Sequence, residues 1–288
     1  MVKQISLIIV TWNVRDHLLA NLEEIFRLAC PLSFEVIVVD NGSSDGSAKM
    51  VRDRFPLVKL IQNDWDSGFA YACNQGLRVS MGEISLLLNP DMLLEAGTLE
   101  KTYELLTTDK TIGVMGVKLT TKDNQPINSV RRLPDLGSQL AIVFKLPRIF
   151  PKLIGRYLFE DFDYNRCQDV DQVRGSYFAF RRELLQTIGY LDEAYHIWFE
   201  EVDYCRRVKQ AGLRVHYCAE VSCHDYVGRS FSKMKHLEKQ RIFTASMYHY
   251  FKKWQPGWQA FVIAVCRPVG ITLAYLADRY EAVTGKTV

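Results

Sequence analysis

Residues 198–207 read WFEEVDYCRR, which places three carboxylates, Glu200, Glu201 and Asp203, directly behind two aromatic residues. Like charges this close repel one another, and a fold retains them where a cation, a proton or a reaction makes use of them. Acidic residues also favour the positive end of a helix dipole, so the cluster alone is equally compatible with a solvated helix start. Trp198 and Phe199 argue instead for a walled pocket. A second candidate is LLLNPDM, which sets Asp91 just beyond an apolar run. A carboxylate there suits Mg²⁺ or Mn²⁺, hard cations that take oxygen ligands and share them with phosphates. Asn-Pro-Asp is also good turn sequence. Asp40 follows another apolar run and is placed to hydrogen-bond a base or ribose. In DSGFAYACNQG (66–76), Gly68 permits close backbone approach at a helix start, and Asn74 falls on that helix's first turns.

These groups need a scaffold, and the first hundred residues supply one. ISLIIV (5–10), FEVIVV (34–39), VKLI (58–61) and ISLLL (84–88) are short and almost continuously apolar, as strands buried on both faces are. Helical spacing occupies 15–29, 45–54 and 69–80, with Asn41 to Ser44 offering turn and N-cap chemistry before the second. Repeated βα units imply a mostly parallel sheet with crossover helices, whose ligands gather beyond the carboxyl ends of the strands. Those ends carry Thr11, Trp12 and Asn13; Asp40, Asn41 and Gly42; Asn63 and Asp64; and Asn89, Pro90 and Asp91. Further on, strands are expected near 113–119, 176–180 and 214–218, and helices over 182–188 and from the acidic motif through Lys209. Neither GxGxxG after the first strand nor GxxxxGKS is present, which removes the dinucleotide fingerprint and the P-loop.

The chain has 288 residues and is 48% hydrophobic and 24% charged, enough for one large domain with an appendage. Its seven cysteines form no CxxC pair and follow no leader pattern, so a reducing cytosol is the expected setting. Cys218, Cys223 and His224 lack the second pair that a structural zinc site needs. From Arg229 to Val288, ten Lys or Arg against three Asp or Glu give +7, so the remainder of a chain of net +3 carries −4. Nucleic-acid binding would explain that basic tail and nothing else in the sequence.

IIVTWN, VVDNGSSDGS, NDWDSGFAYACNQG, LLLNPDM, WFEEVDYCRR and HDYVGRS together resemble, in order, the motifs of family 2 glycosyltransferases, closest to the rhamnosyltransferase-like branch. The resemblance spans about residues 4–232. It implies an α/β GT-A fold, a divalent cation (Mg²⁺ or Mn²⁺), inversion at the anomeric carbon, and a nucleotide-diphosphate sugar, dTDP-rhamnose first and a UDP-hexose as the alternative. The contrasting reading is a catalytically silent nucleotide-sugar-binding scaffold. The resemblance makes Thr11, Asn13, Asp40, Ser43, Asp66, Gly68, Asn74 and Asn89 the donor-binding set, and Asp91 and His224 the metal ligands. Asn89 stands where many relatives carry a first Asp, which weakens that cation site. Glu201 becomes the base that takes the acceptor hydroxyl proton, with Glu200 a close second, and Asp203 joins the catalytic set as a structural or acceptor-orienting carboxylate. Gly175, Trp198 and Arg131 are expected around the sugar or acceptor. The implied layout is a catalytic domain over 1–228, its nucleotide-sugar half about 1–110 and its acceptor half about 111–228, with a helical extension over 229–288.

In that extension, Phe261–Cys266 and Val269–Leu276 are apolar but interrupted by Arg267 and Pro268, so neither is expected to reach the ~20 residues a bilayer span requires. Flanking Lys252, Lys253, Trp254, Trp258 and Arg279 give the composition of a helix lying in a membrane interface. A core helix with a proline kink has the same composition. With the basic stretch 131–156, the tail is expected to dock on an anionic membrane and reach a saccharide acceptor carried on polyprenyl diphosphate. That places the chain in the cytoplasm, peripheral to the membrane's inner face.

Overall fold

A computed structural model describes residues 3–225 and 234–284. The chain opens with β1 (Ile5–Thr11), α1 (Arg15–Arg27), β2 (Phe34–Asn41), α2 (Ser47–Arg54), β3 (Lys59–Asn63), α3 (Phe69–Val79) and β4 (Ile84–Leu88). It continues through β5 (Met92–Leu94), α4 (Thr98–Thr108), β6 (Ile112–Thr120), β7 (Val130–Arg131) and α5 (Leu136–Val143). Two 3₁₀ turns, Leu146–Arg148 and Pro151–Ile154, lead into α6 (Gly155–Leu158). Then come β8 (Gln168–Val170), β9 (Gln172–Val173), β10 (Tyr177–Arg181), α7 (Leu184–Thr187), α8 (Glu200–Gln210) and β11 (Arg214–Asp225). Two long helices, α9 (His236–Trp254) and α10 (Gly257–Thr284), follow.

Nine strands form one central sheet in the order β3-β2-β1-β4-β10-β6-β11-β5, with β8 added on β11. Strands β3, β2, β1 and β4 are parallel, so Asn63, Asp40 and Asn41, Thr11 and the turn after Leu88 emerge at one edge. Next to them β10 runs antiparallel, with Tyr177 opposite Leu88, and brings Gly175 and Ser176 to that edge from the other direction. The apolar strands alternate faces as a period of two requires. Ile5, Leu7, Ile9, Val36 and Val38 pack under α1 and α4, while Ile8, Val10, Ile37 and Val39 pack under α3 and α8.

Four local expectations change. Helix α2 is capped by Gly46 in the left-handed region rather than by residues 41–44, and the Asp45 carboxylate takes the Ser47 N–H at 3.0 Å. Asn41 completes β2 instead. The helix expected over 182–188 is the single turn α7, and the strand at 214–218 runs on to Asp225 past a register shift between Cys218 and Ser222. Lastly, α10 is one helix of 28 residues with Pro268 inside it, long and apolar enough to cross a membrane. An interior proline costs ~3 kcal/mol. Burial of Ala260, Ile263, Gly270 and Ala274 along the helix, on both sides of Pro268, offsets that cost.

The extension is packed into the fold. Val143 of α5, Phe199 and Val202 at the start of α8, Met247, Tyr250 and Phe251 of α9, and Ala260 and Ile263 of α10 share one core cluster. The expected boundary at 228/229, and Gly228 and Ser230 of HDYVGRS, lie outside the described residues.

Candidate active site

Two adjoining clefts open at the polar edge of the sheet. The smaller, about 60 Å³, is walled by Val10, Trp12, Asn41, Asp66, Asn89 and His196 among others. The larger, about 330 Å³, is walled by Ser129, Arg131, Arg174, Gly175, Trp198, Glu200, Glu201 and Phe243 among others. Phe69, Asn89 and Ile197 line both, so the two form one continuous groove.

On the first side, Thr11 and Asp40 are register partners at the ends of β1 and β2, both fully buried. Thr11 Oγ1 and Asp40 Oδ2 have no hydrogen-bond partner among the described residues. Burial raises the Asp40 pKa. Asn13, at φ 54°, is stitched to the loop after β2: its N–H donates to Ser43 Oγ at 3.0 Å, and its Oδ1 accepts the Ser44 N–H at 2.8 Å. Burial acts to raise the Asp66 pKa, but His196 at 3.3 Å, the Gly68 N–H at 3.0 Å and the Asn41 amide at 2.6 Å outweigh it and hold the carboxyl below its ordinary value. The same contact raises His196.

Two members of the expected donor set are occupied within the protein. Gly68, at φ 85°, lies so close to the 190s loop that a Cβ would come within 2.8 Å of His196 O. The close approach it permits is to His196. Asn74 donates to Leu191 O and Glu193 Oε1, both at 2.9 Å, and accepts the Leu191 N–H at 3.1 Å. Both its N–H donors and its Oδ1 are committed to that loop, and the side chain is buried.

Asp91 is buried, and Oδ1 has no partner among the described residues. Burial, then the charge of Asp225, raises its pKa. Asp225, also buried, pairs with Arg174 at 3.3 Å, and Arg174 lines the larger cleft. His224 does not join them. Its Nδ1 lies 2.9 Å from Thr120 Oγ1 and its Nε2 3.0 Å from Glu95 Oε1, so both ring nitrogens are taken. Neighbouring strand residues face opposite ways, which turns Asp225 toward Asp91 and His224 away. The structure therefore does not bring the expected metal pair Asp91 and His224 together, and sets Asp225 beside Asp91 instead. The unpartnered Asp91 Oδ1 with a second buried carboxylate beside it is an oxygen donor set that fits a hard divalent cation.

At the mouth of α8, Trp198 and Phe199 both adopt left-handed backbone, at φ 65° and 71°. Such residues cost on the order of 1–3 kcal/mol each and persist where packing over-determines them. Phe199 is almost fully buried against Phe243 and Tyr250, which contributes a compensating ~1.5–3 kcal/mol. This kinked entry directs Glu200 and Glu201 into the larger cleft. Each has an Oε2 with no partner among the described residues. Burial, then the charge of Glu201, pushes Glu200 well above the carboxylate range. Burial also raises Glu201, but Arg131 and Arg174 act to lower it. Glu200 thus holds a proton more readily, and Glu201 is the readier carboxylate. Gly175 lies over the Glu201 stem, where a Cβ would stand 3.7 Å from Glu201 Cβ.

Asp203 departs from the expected catalytic set. About 200° round the helix from Glu201, it accepts from Arg207 Nε at 2.8 Å and Trp254 Nε1 at 2.7 Å, and pairs with Lys253 at 2.8 Å. A carboxylate so saturated cannot reach a substrate. It clamps α8 to α9.

Three site residues escaped the sequence reading. His196 lies two residues before Trp198, Arg174 directly before Gly175, and Asp225 directly after His224. His196 and Arg174 stand beside residues singled out in the sequence and Asp225 belongs to HDYVGRS, and only the chain's turns reveal which neighbour faces the site.

Residues 6–189 match Glycosyl transferase family 2. The N-acetylglucosaminyl-diphospho-decaprenol L-rhamnosyltransferase of Mycobacterium tuberculosis is 24% identical over 276 residues, 90% of this chain and 87% of that protein. The low-salt glycan biosynthesis hexosyltransferase Agl10 of Haloferax volcanii is 22% identical over 225 residues, 77% of this chain and 66% of its own length. Among solved structures, the mannosyltransferase PcManGT from Pyrobaculum calidifontis in complex with GDP-Man and Mn²⁺ aligns with TM-score 0.59 at 20% identity, covering 99% of this chain and 77% of that one. S. aureus TarS 1–349 in complex with UDP-GlcNAc aligns with TM-score 0.56 at 15% identity, over 90% and 70%. With more than half its length matched and the GT-A architecture around the groove, the chain belongs to glycosyl transferase family 2 and is a glycosyltransferase.

Proposed function

We propose that the chain transfers a sugar from a nucleotide-diphosphate donor to a saccharide hydroxyl with inversion, and that Glu201 is the base. The observation that carries this is the Glu200–Glu201 pair at the wall of a cleft continuous with the strand-end groove. The nucleotide lies over Thr11, Asp40 and Asp66, and the diphosphate runs past Asn89 toward Arg174. The acceptor oxygen attacks the anomeric carbon as its proton passes to Glu201. The bond from that carbon to the diphosphate breaks, and the electron pair leaves with the diphosphate. Arg131 and Arg174 meet the charge that develops there. Asp91 and Asp225 would hold a divalent cation, which when bound neutralises diphosphate charge. Glu200, protonated, keeps a second negative charge out of the cleft.

A dTDP-rhamnose donor and an acceptor on polyprenyl diphosphate draw support from the mycobacterial relative's name. A UDP-hexose is the alternative, favoured by the hexosyltransferase relative and the UDP-GlcNAc complex. The cytoplasm, at the inner face of the membrane, is where such donors and acceptors meet. Calorimetric titration with dTDP-rhamnose, UDP-glucose, UDP-GlcNAc and GDP-mannose, with and without Mn²⁺, tests this reading. One donor is expected to bind at least about tenfold more tightly than the rest, with Mn²⁺ strengthening it. Failure of all four to bind in either condition would count against the reading.

A further inference from the structure

We propose that the outer face of α10 and the corner at Ile149–Leu153 form one docking surface for an anionic bilayer, with α10 lying in the plane of the membrane interface. This inference goes beyond the transfer reaction and holds for any donor.

Trp258, Phe261, Val265, Val269, Leu273, Leu276, Tyr280 and Val283 are all exposed. Their spacings of three and four residues set them in one stripe along a helix about 42 Å long. The polar anchors of α10 point the other way. Arg267 Nε donates to Thr244 Oγ1 at 3.4 Å, Asp278 accepts the His236 and Leu237 N–H groups at 3.0 Å each, and Glu281 meets His236 Nε2 at 3.0 Å. Of the four charged residues in α10, these three face α9, and the fourth, Arg279, is exposed. The stripe therefore carries no anion.

Gly270 packs so closely on α5 that a Cβ would stand 2.9 Å from Val143 Cγ1. Directly after α5 the chain turns through Arg148, Ile149, Phe150, Lys152, Leu153 and Arg156, all exposed. Apolar and cationic side chains are interspersed in this corner. That charge pattern selects an anionic lipid surface over a purely apolar partner, since each cation near such a surface contributes and Trp and Tyr favour the interface. The bonds to α9 and the seat on α5 hold the helix against the fold, so only its outer side is available to lipid. Lying in plane satisfies the stripe without detaching the anchors, whereas spanning would break them.

The test is cosedimentation of the full-length chain, at low salt, with vesicles of phosphatidylcholine alone or mixed with phosphatidylglycerol. Binding is expected to the mixed vesicles only. Phe261→Asp, Leu273→Asp and the pair Lys152→Glu with Arg156→Glu are each expected to reduce partitioning about tenfold or more, while the affinity for nucleotide sugar stays unchanged and certifies the fold. Failure of the wild type to pellet with mixed vesicles overturns the proposal. Full retention of binding by all three variants does so too. Resistance of the membrane-bound protein to alkaline extraction would indicate a span, and a dimer dissociated by Phe261→Asp would assign the stripe to a second copy. Either result also overturns it.

Discussion

Glu201→Gln is expected to lower kcat by about 10²–10⁴-fold, the range contributed by a positioned general base, while the donor affinity changes little. The amide keeps the shape of the side chain but cannot accept the acceptor's proton. Because Glu201 lines the larger cleft and not the smaller one, the nucleotide's contacts are left intact. The pH profile supplies an independent readout. Burial raises the Glu201 pKa, so the wild-type rate should rise with pH as Glu201 loses its proton, over a range above that of an ordinary glutamate. The residual activity of Glu201→Gln should lack that limb. Glu200→Gln resembles the protonated state that burial and the neighbouring charge already favour, so its loss should be the smaller of the two. The reverse order, measured by initial rates at saturating donor, would move the base by one residue.

Asp91→Asn is expected to weaken Mn²⁺-dependent donor binding by about 10–100-fold, on the order seen when a metal site loses one supporting group. Asparagine conserves volume and removes the charge. In the wild type, Asp91 keeps an unpartnered buried oxygen beside Asp225, an arrangement that costs free energy unless a cation meets it. Donor titrations with and without Mn²⁺ measure the effect. Asp225→Asn should behave alike, and His224→Ala, which among the described residues removes polar contacts to Thr120 and Glu95, should leave the metal dependence intact. Loss of that dependence in His224→Ala alone would reverse the assignment.

The parallel half of the fold was legible because its strands are nearly pure runs of β-branched and aliphatic residues, and the residues at their ends must converge once the strands pair in parallel. Asp40, Asn89 and the two glutamates were therefore locatable from spacing and motif. Orientation was the harder quantity. Whether His224 or Asp225 faces Asp91 depends on the phase of β11, which continues past a register shift that no local pattern announces. For Asp203 the sequence leaves a structural and an acceptor-orienting role open, and the choice is decided by Trp254 and Lys253, about fifty residues away. Asn74 and Gly68 were read as facing a ligand because their types suit close approach, yet the surface they approach is the 190s loop of the same chain. The single helix α10 was hidden by Pro268, whose local cost is outweighed by burial along α9.

The central claim is a single displacement in which Glu201 deprotonates the acceptor opposite the departing diphosphate. Proton NMR of the transfer product, reading the anomeric configuration against that of the donor sugar, tests it most directly. The geometry predicts a fully inverted linkage, and a product that retains the donor's configuration would contradict the mechanism.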